Sequence, residues 1–423
     1  MFFIKKLISD RFFKNNLIFF IGAFIAGALN YVFHPILGRM MDAADYGEVQ
    51  TLIALVAQVA VFQGMFGIVI TNIVANGGDE QEKLSIIPEI RKVALYSAAG
   101  LFVVLLISSM FFKNFLQFDS VWPFLGLAAM IPLSVAITVR NSFLQGEQRF
   151  GNVSVNAILQ AGGKLLFAVI FVFAGWRAFG AIAGILLAQW LGFYYLYKKT
   201  RDRASFAPFY KTKVTKKISK ELIYGIVVLI VTSAATFLYC GDVVVVKHFF
   251  SPQEAGLYSG ISVVARIIYF LASPIAVVLF ASVAINKTQK ENTILFLKSL
   301  VTVFLVGGGI ATIFSLVPSF ITNLLVGQEY LAYTWLLPKL SLLVFITAVI
   351  TLFSMYYLAL RKYFVTFVAM GGVMITAILS YFRHDNLSEI VYNFILGGLI
   401  ILIVFILLFI YNQVIGLRYY DRK

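Results

Sequence analysis

Tyr197–Glu221 reads YKKTRDRASFAPFYKTKVTKKISKE and lies near the midpoint of the 423-residue chain. Lys198, Lys199, Arg201, Arg203, Lys211, Lys213, Lys216, Lys217 and Lys220 stand there against only Asp202 and Glu221. On either side run apolar segments long enough to cross a bilayer. Lys and Arg translocate poorly, so so basic a loop between spans belongs in the cytoplasm. That placement orients the chain and divides it into two halves of similar length. Nucleic-acid binding is the competing reading of such a run, but basic stretches beside spans ordinarily face anionic lipid.

Composition agrees. The chain is 61% hydrophobic and 13% charged, with a mean hydropathy of +0.92. A soluble domain carries about 25% charged residues, so this is a polytopic membrane protein. The net charge of +15 follows from basic loops on one side of the membrane. The single cysteine, Cys240, excludes an intrachain disulfide and a cysteine-based metal site. The basic N-terminus ahead of Leu17 resembles a signal peptide, but the many later spans read it as an uncleaved first helix.

A window of about 20 apolar residues gives about twelve spans. They fall near 17–37, 48–75, 93–112, 121–144, 152–174, 178–197, 221–247, 257–285, 294–317, 331–360, 363–382 and 390–415. With the N-terminus inside, the cytoplasmic connections hold Lys83, Arg91 and Lys92, then Arg149, the central loop, Lys287 and Lys290, and Arg361 and Lys362. Both termini are then cytoplasmic. The expected fold is all-α: two pseudo-symmetric six-helix lobes, 1–197 and 221–423, joined by a basic linker, 198–220. No loop is long enough to fold alone, so any activity must lie within the helix bundle.

The halves look related. Asp45-Tyr46-Gly47 follows the first span and Glu254-Ala255-Gly256 the seventh. Leu144–Phe150 follows the fourth and Leu358–Phe364 the tenth. With an even number of spans per half, the repeat runs parallel, about an axis along the membrane normal.

A charge at mid-bilayer costs about 2.5–3.5 kcal/mol, so each needs a reason. Arg140, Lys164, Asp242, Lys247, Arg266 and Lys339 fall within spans. Asn152, Asn156, Gln160 and Lys164 recur every four residues in span five; Ser259, Ser262, Arg266, Tyr269 and Ser273 make a second stripe in span eight. Asn30 and His34 are the polar residues of span one. Ser and Thr stripes also read as interhelical glue, but glue needs neither Lys164 nor Arg266. Cations outnumber acids, Asp242 being the clear intramembrane acid, which points to a hydrated, positive chamber for an anionic ligand. Lys247 and Lys339 sit close enough to span ends to snorkel, and His34 reads as a satisfied interfacial histidine. Pro132 and Pro274 mark bending points or purely architectural kinks.

The segments His34-Pro35-Ile36-Leu37-Gly38-Arg39, Asp45-Tyr46-Gly47-Glu48, and Gln145-Gly146 before Arg149-Phe150, with twelve spans in two halves, resemble the Wzx-type polysaccharide flippases. Their superfamily also holds the MATE drug exporters and the lipid II flippase. The resemblance covers essentially the whole chain. It implies two lobes in a V around a central cavity, alternating access, and a polyprenyl-pyrophosphate-linked oligosaccharide moved from the inner to the outer leaflet of a bacterial inner membrane. Cationic cavity residues belong to such flippases, and Arg140, Lys164, Arg266 and Lys339 fit by type.

On this reading the cations hold the diphosphate through charge-assisted hydrogen bonds that replace its water. Asn156, Gln160, Ser262, Tyr269 and Asn30 line the sugar path. Asp242 pairs with a cation or binds a coupling ion. No metal, cofactor or nucleotide motif is expected, and the chain is not an enzyme. Partners would be membrane lipids and the glycosyltransferases and polymerase of the same pathway. Two alternatives stand: a MATE-like cation-coupled drug exporter, which wants chamber carboxylates, and a membrane-embedded glycan polymerase or ligase, which wants a catalytic base or a large external loop.

Overall fold

The structure is a computed structural model that describes residues 11–76, 80–203, 206, 216–283 and 288–420. Part of the central basic stretch, including Lys211 and Lys213, lies outside the described residues, as do Lys287 and the last three residues.

Among the described residues the chain is helical, without strands. The first unit, Met1–Ile226, holds α1 (Arg11–Met40), α2 (Ala43–Asn76), α3 (Glu80–Phe115), α4 (Trp122–Gly146), α5 (Phe150–Phe173) and α6 (Arg177–Thr200). The second unit, Val227–Lys423, takes most of α7 (Lys216–Phe249), then α8 (Pro252–Ala265), α9 (Ile267–Ser282) and α10 (Gln289–Val303). A π-helical turn, Phe304–Gly308, leads into α11 (Gly309–Leu316). The short α12 (Pro318–Leu325) and a 3₁₀ segment, Gln328–Leu336, precede α13 (Leu337–Ala359), α14 (Val365–Phe382) and α15 (Leu387–Tyr420). Among the described residues eleven helices are long and apolar enough to cross a membrane, or twelve if α8 and α9, bent by 43°, make one span. The chain is therefore a multi-pass all-α membrane protein.

Several boundaries differ from the sequence reading. Arg91 and Lys92 lie inside α3 rather than in a connecting loop, because the helix continues past the apolar window into polar sequence. Span eight breaks at Arg266, not at Pro274, which sits inside α9. Pro132 likewise lies within an uninterrupted α4. Span ten begins as a 3₁₀ segment. A proline inside a helix removes one backbone donor, which neighbouring helices in a bundle can compensate.

The two halves share local geometry. Asp42 caps α2 by accepting the amide of Asp45 at 2.8 Å, and Ser251 caps α8 by accepting that of Glu254. Each acid stands in the first turn, where the helix dipole favours it. At the end of α4, Gln148 has φ 58° and the Arg149 amide donates to the Leu144 carbonyl. At the end of α13, Arg361 has φ 52° and the Lys362 amide donates to the Tyr357 carbonyl. Both are left-handed helix stops of the Schellman type. They align Arg149 with Lys362, one residue off the register read from sequence.

The tightest helix pair in the first unit is α5 with α6. Gly180, Gly184, Ala188 and Gly192 recur every four residues on α6. A Cβ on Gly184 would come within 2.7 Å of the Ala168 Cα, and one on Gly192 within 2.7 Å of the Gln160 side chain. Lipid tails give no hydrophobic drive for helices to associate, so close backbone approach through small residues does it instead. The α5–α6 turn itself runs through Gly175 at φ 87°, a conformation glycine adopts without steric cost.

Candidate functional site

In the second unit, α8 presents Tyr258, Ser262 and Arg266 on one face, four residues apart. All three converge on Asp242 of α7. Tyr258 Oη donates to Asp242 Oδ2 at 2.8 Å and Ser262 Oγ to the same oxygen at 2.9 Å. Arg266 Nη2 donates to Oδ1 at 3.2 Å. The carboxylate is 1% exposed and Arg266 4%, so neither faces water or lipid. The Arg266 guanidinium also lies 5.3 Å from the Tyr239 ring centroid. Tyr239 packs on Tyr269 at 4.4 Å, and Tyr269 is hydrogen-bonded to Thr351. Arg266 Nε is buried with no partner.

This arrangement corrects the expectation of an open Arg266. The cation is already held by Asp242, and Ser262 serves that carboxylate rather than a sugar path. Charge counting over spans could not pair two residues 24 positions apart on different helices. Leaving either charge alone in such a setting is costly, so the pair is retained as a unit.

The first unit differs. Lys164 on α5 has no carboxylate partner among the described residues; its ammonium lies 4.3 Å from the Phe33 ring centroid on α1. Arg140 on α4 likewise has no carboxylate partner. It donates to Thr200 Oγ1 at 2.5 Å, and its guanidinium lies over Phe193, Tyr197 and Phe206 at 5.5, 5.2 and 4.7 Å. Phe206 also lies under Arg91, 5.6 Å from its guanidinium, and packs on Phe143. A cation over a desolvated ring gains about 2 kcal/mol, less than the 2.5–3.5 kcal/mol or so that a mid-bilayer charge costs. For Lys164, over one ring, aromatic contact therefore offsets only part of that cost, whereas Arg140 lies over three rings and gains more.

The rest of the span-five stripe works between helices. Asn152 accepts from Tyr195 Oη at 3.0 Å. Asn156 is 3% exposed and reaches Asn141 at 3.4 Å, while Gln160 lies against Gly192. Both were expected to line a sugar path; in the structure Asn156 is buried beside α4 and half-buried Gln160 lies against α6. Asn30 donates to the Ala26 carbonyl one turn back on its own helix.

Lys339 stands in the first turn of α13, where its ammonium donates to Ser388 Oγ at 2.8 Å and lies over Trp335 and Tyr392. That is an anchored span-end lysine. His34 Nδ1 lies 3.0 Å from Gln50 Nε2, as expected of a satisfied histidine. Many span hydroxyls bond their own helix four residues back, among them Thr51, Thr232, Ser259, Thr347, Thr351 and Thr376. These bonds stay within each helix, and Thr351 in addition bonds Tyr269 of α9. A small, mainly apolar cavity of about 60 Å³ in the first unit is bordered by Gln63, Ser134 and Gln189; Gln63 donates to Ser134 there. Among the described residues no three His, Cys, Asp or Glu side chains converge on a metal position.

Fold and charge placement together define a multi-pass helical membrane bundle with cations held inside it. An inward-facing MATE-family multidrug transporter of the MOP superfamily matches with a TM-score of 0.72 over 93% of this chain and 96% of its own, at 12% identity. The lipid II flippase MurJ, in an inward closed conformation, matches with 0.65 over 92% and 87%, at 13% identity. A MOP-superfamily transporter from Pyrococcus furiosus, described as having a binding pocket of reversed polarity, matches with 0.62 over 95% of both chains, at 14% identity. These likenesses show the MOP-superfamily fold. No curated protein sequence matches the chain. A family model described as polysaccharide biosynthesis protein matches residues 12–281, more than half of the chain. The chain belongs to that polysaccharide biosynthesis family.

Proposed function

We propose that this protein is a flippase, not an enzyme, that carries a polyprenyl-pyrophosphate-linked oligosaccharide across the bacterial inner membrane by alternating access. The cargo moves from the inner to the outer leaflet. Both termini and the basic linker 198–220 lie in the cytoplasm, and the linker joins two six-helix lobes. The observation that carries the reading is the pair of first-unit span cations, Arg140 and Lys164, that no carboxylate neutralises among the described residues. Membership in a polysaccharide biosynthesis family supports the glycan cargo, and the shared fold supports transport.

A diphosphate supplies the negative charge these cations lack, through hydrogen bonds stronger than neutral ones. A cationic drug would need an open carboxylate, and Asp242 is neutralised by Arg266. The glycosyltransferases and polymerase of the same pathway are the partners this function requires.

The test is reconstitution into liposomes with a polyprenyl-diphosphate-linked oligosaccharide whose sugar is accessible to a lectin or hydrolase from outside. Wild-type protein should move it, and Lys164→Ala at equal density should not. In cells, Lys164→Ala should remove surface glycan and accumulate the lipid-linked precursor inside. Normal glycan in that variant would overturn the proposal.

A further inference from the structure

Arg140 and Lys164, the two cations that carry the proposed function, do not stand at one level. Asn156 of α5 reaches Asn141 of α4 at 3.4 Å, which sets Arg140, the residue before Asn141, level with Asn156. Lys164 lies two four-residue steps further along α5, about 12 Å at roughly 1.5 Å per residue. The charged heads then diverge. Arg140 donates to Thr200, the last residue of α6, and lies over Phe206 beyond it. Lys164 lies over Phe33, toward the end of α1 at Met40. In the proposed orientation these are the cytoplasmic and the outer side. A diphosphate, two phosphates joined through one oxygen, is about as long as one helical turn, so one group cannot bridge both.

A second arginine stands beside the first. The Arg91 guanidinium of α3 lies 5.6 Å from the Phe206 ring centroid, and that of Arg140 lies 4.7 Å from it. The two guanidiniums are therefore at most about 10 Å apart, close enough to repel each other. Both side chains are half-buried. Glu147, just past the end of α4, is held instead by Arg149 and Arg203, at 3.0 and 3.4 Å. A guanidinium takes phosphate oxygens two at a time, in a planar fork that a lysine ammonium lacks. Two arginines gathered around one ring suit a multiply charged oxyanion; Lys164 offers a single ammonium.

We propose that the first unit holds the diphosphate of the cargo lipid at two stations in sequence. The first is the pair Arg91 and Arg140 at its cytoplasmic end; the second is Lys164. The inference rests on the function proposed above and adds Arg91 to its binding residues. A lipid arriving from the cytoplasmic leaflet meets the arginine pair first. The step to Lys164 carries the anion outward along α5, past Gln160, which stands midway on the same face.

Photolabelling of the full chain in nanodiscs tests this, with a polyisoprenyl diphosphate that carries an aryl azide on its terminal phosphate. In wild type the probe should label peptides around Arg140 and Phe206 and, separately, peptides around Phe33 and Lys164. Arg91→Gln should cut both sets about tenfold, because entry comes first. Arg91→Lys, which keeps the charge without the fork, should recover part of the loss; should Arg91→Gln not fold, Arg91→Lys carries the same test with a smaller fall. Lys164→Ala should lose the Phe33 and Lys164 set alone. Loss of both sets in Lys164→Ala overturns the proposal, as does wild-type labelling in the Arg91 variants. Competition by inorganic pyrophosphate as strong as by unlabelled polyisoprenyl diphosphate assigns the arginine pair to a free diphosphate and overturns it too. Labelling of neither set overturns the flippase reading itself, so the two failures are told apart.

Discussion

Arg266 donates to Asp242 at the residue where its own span bends by 43°. The break and the ion pair occupy one position. Arg266 ends α8, its amide donating to the Ser262 carbonyl, while its side chain reaches α7. A buried pair of this kind specifies how two helices meet more than it stabilises them.

Neutralising one member therefore strands the other. Asp242→Asn should lower stability by about 3–5 kcal/mol, read as a fall in melting temperature of the detergent-purified protein. Arg266→Met should do the same. The double variant Asp242→Leu/Arg266→Met should recover most of the loss. Single variants as stable as wild type would show that the pair is not buried as described.

Lys164 should behave oppositely. Lys164→Met removes a charge that no carboxylate pairs among the described residues, so melting temperature should hold or rise while surface glycan disappears. Lys164→Arg should retain part of the export. Loss of folded protein in Lys164→Met would make the lysine structural rather than functional.

Gly184 lies where α6 meets the backbone of α5. A Cβ there would come within 2.7 Å of the Ala168 Cα and 2.9 Å of the Phe167 carbonyl carbon. Backbone cannot move aside as a side-chain tip can. Gly184→Leu should abolish the folded yield in membranes, measured by size-exclusion fluorescence. Gly371→Leu should fold normally, because nothing lies within 4 Å of its Cβ.

Phe206 joins the start of the linker to the first unit through Arg140, Arg91 and Phe143. Phe206→Ala should cost about 1–2 kcal/mol of first-unit stability. Phe206→Tyr, which keeps the ring face, should cost far less. Thermal melting of both variants checks it; equal losses would sink the cation–ring account.

Much of the architecture was legible because the bilayer constrains it. A span needs about 20 apolar residues, and this rule found the helices, including α8 with α9 as one span. The capped starts at Asp42 and Ser251 and the stops at Gln148 and Arg361 were visible as paired sequence segments. The α5–α6 contact was legible too, in the four-residue recurrence of Gly180, Gly184, Ala188 and Gly192, a signal passed over in favour of the polar stripe.

Composition and hydropathy by themselves determined that the chain is a polytopic helical bundle in two halves, because those properties depend on neighbours along the chain. Only the tertiary structure decided which charges were spoken for. Asp242 and Arg266 neutralise each other from separate helices, Lys339 rests on Ser388, and Lys164 lies over an aromatic face with no carboxylate partner among the described residues. Electrostatic energy depends on distance in space, and a linear sequence does not state which face of one helix meets which face of the next.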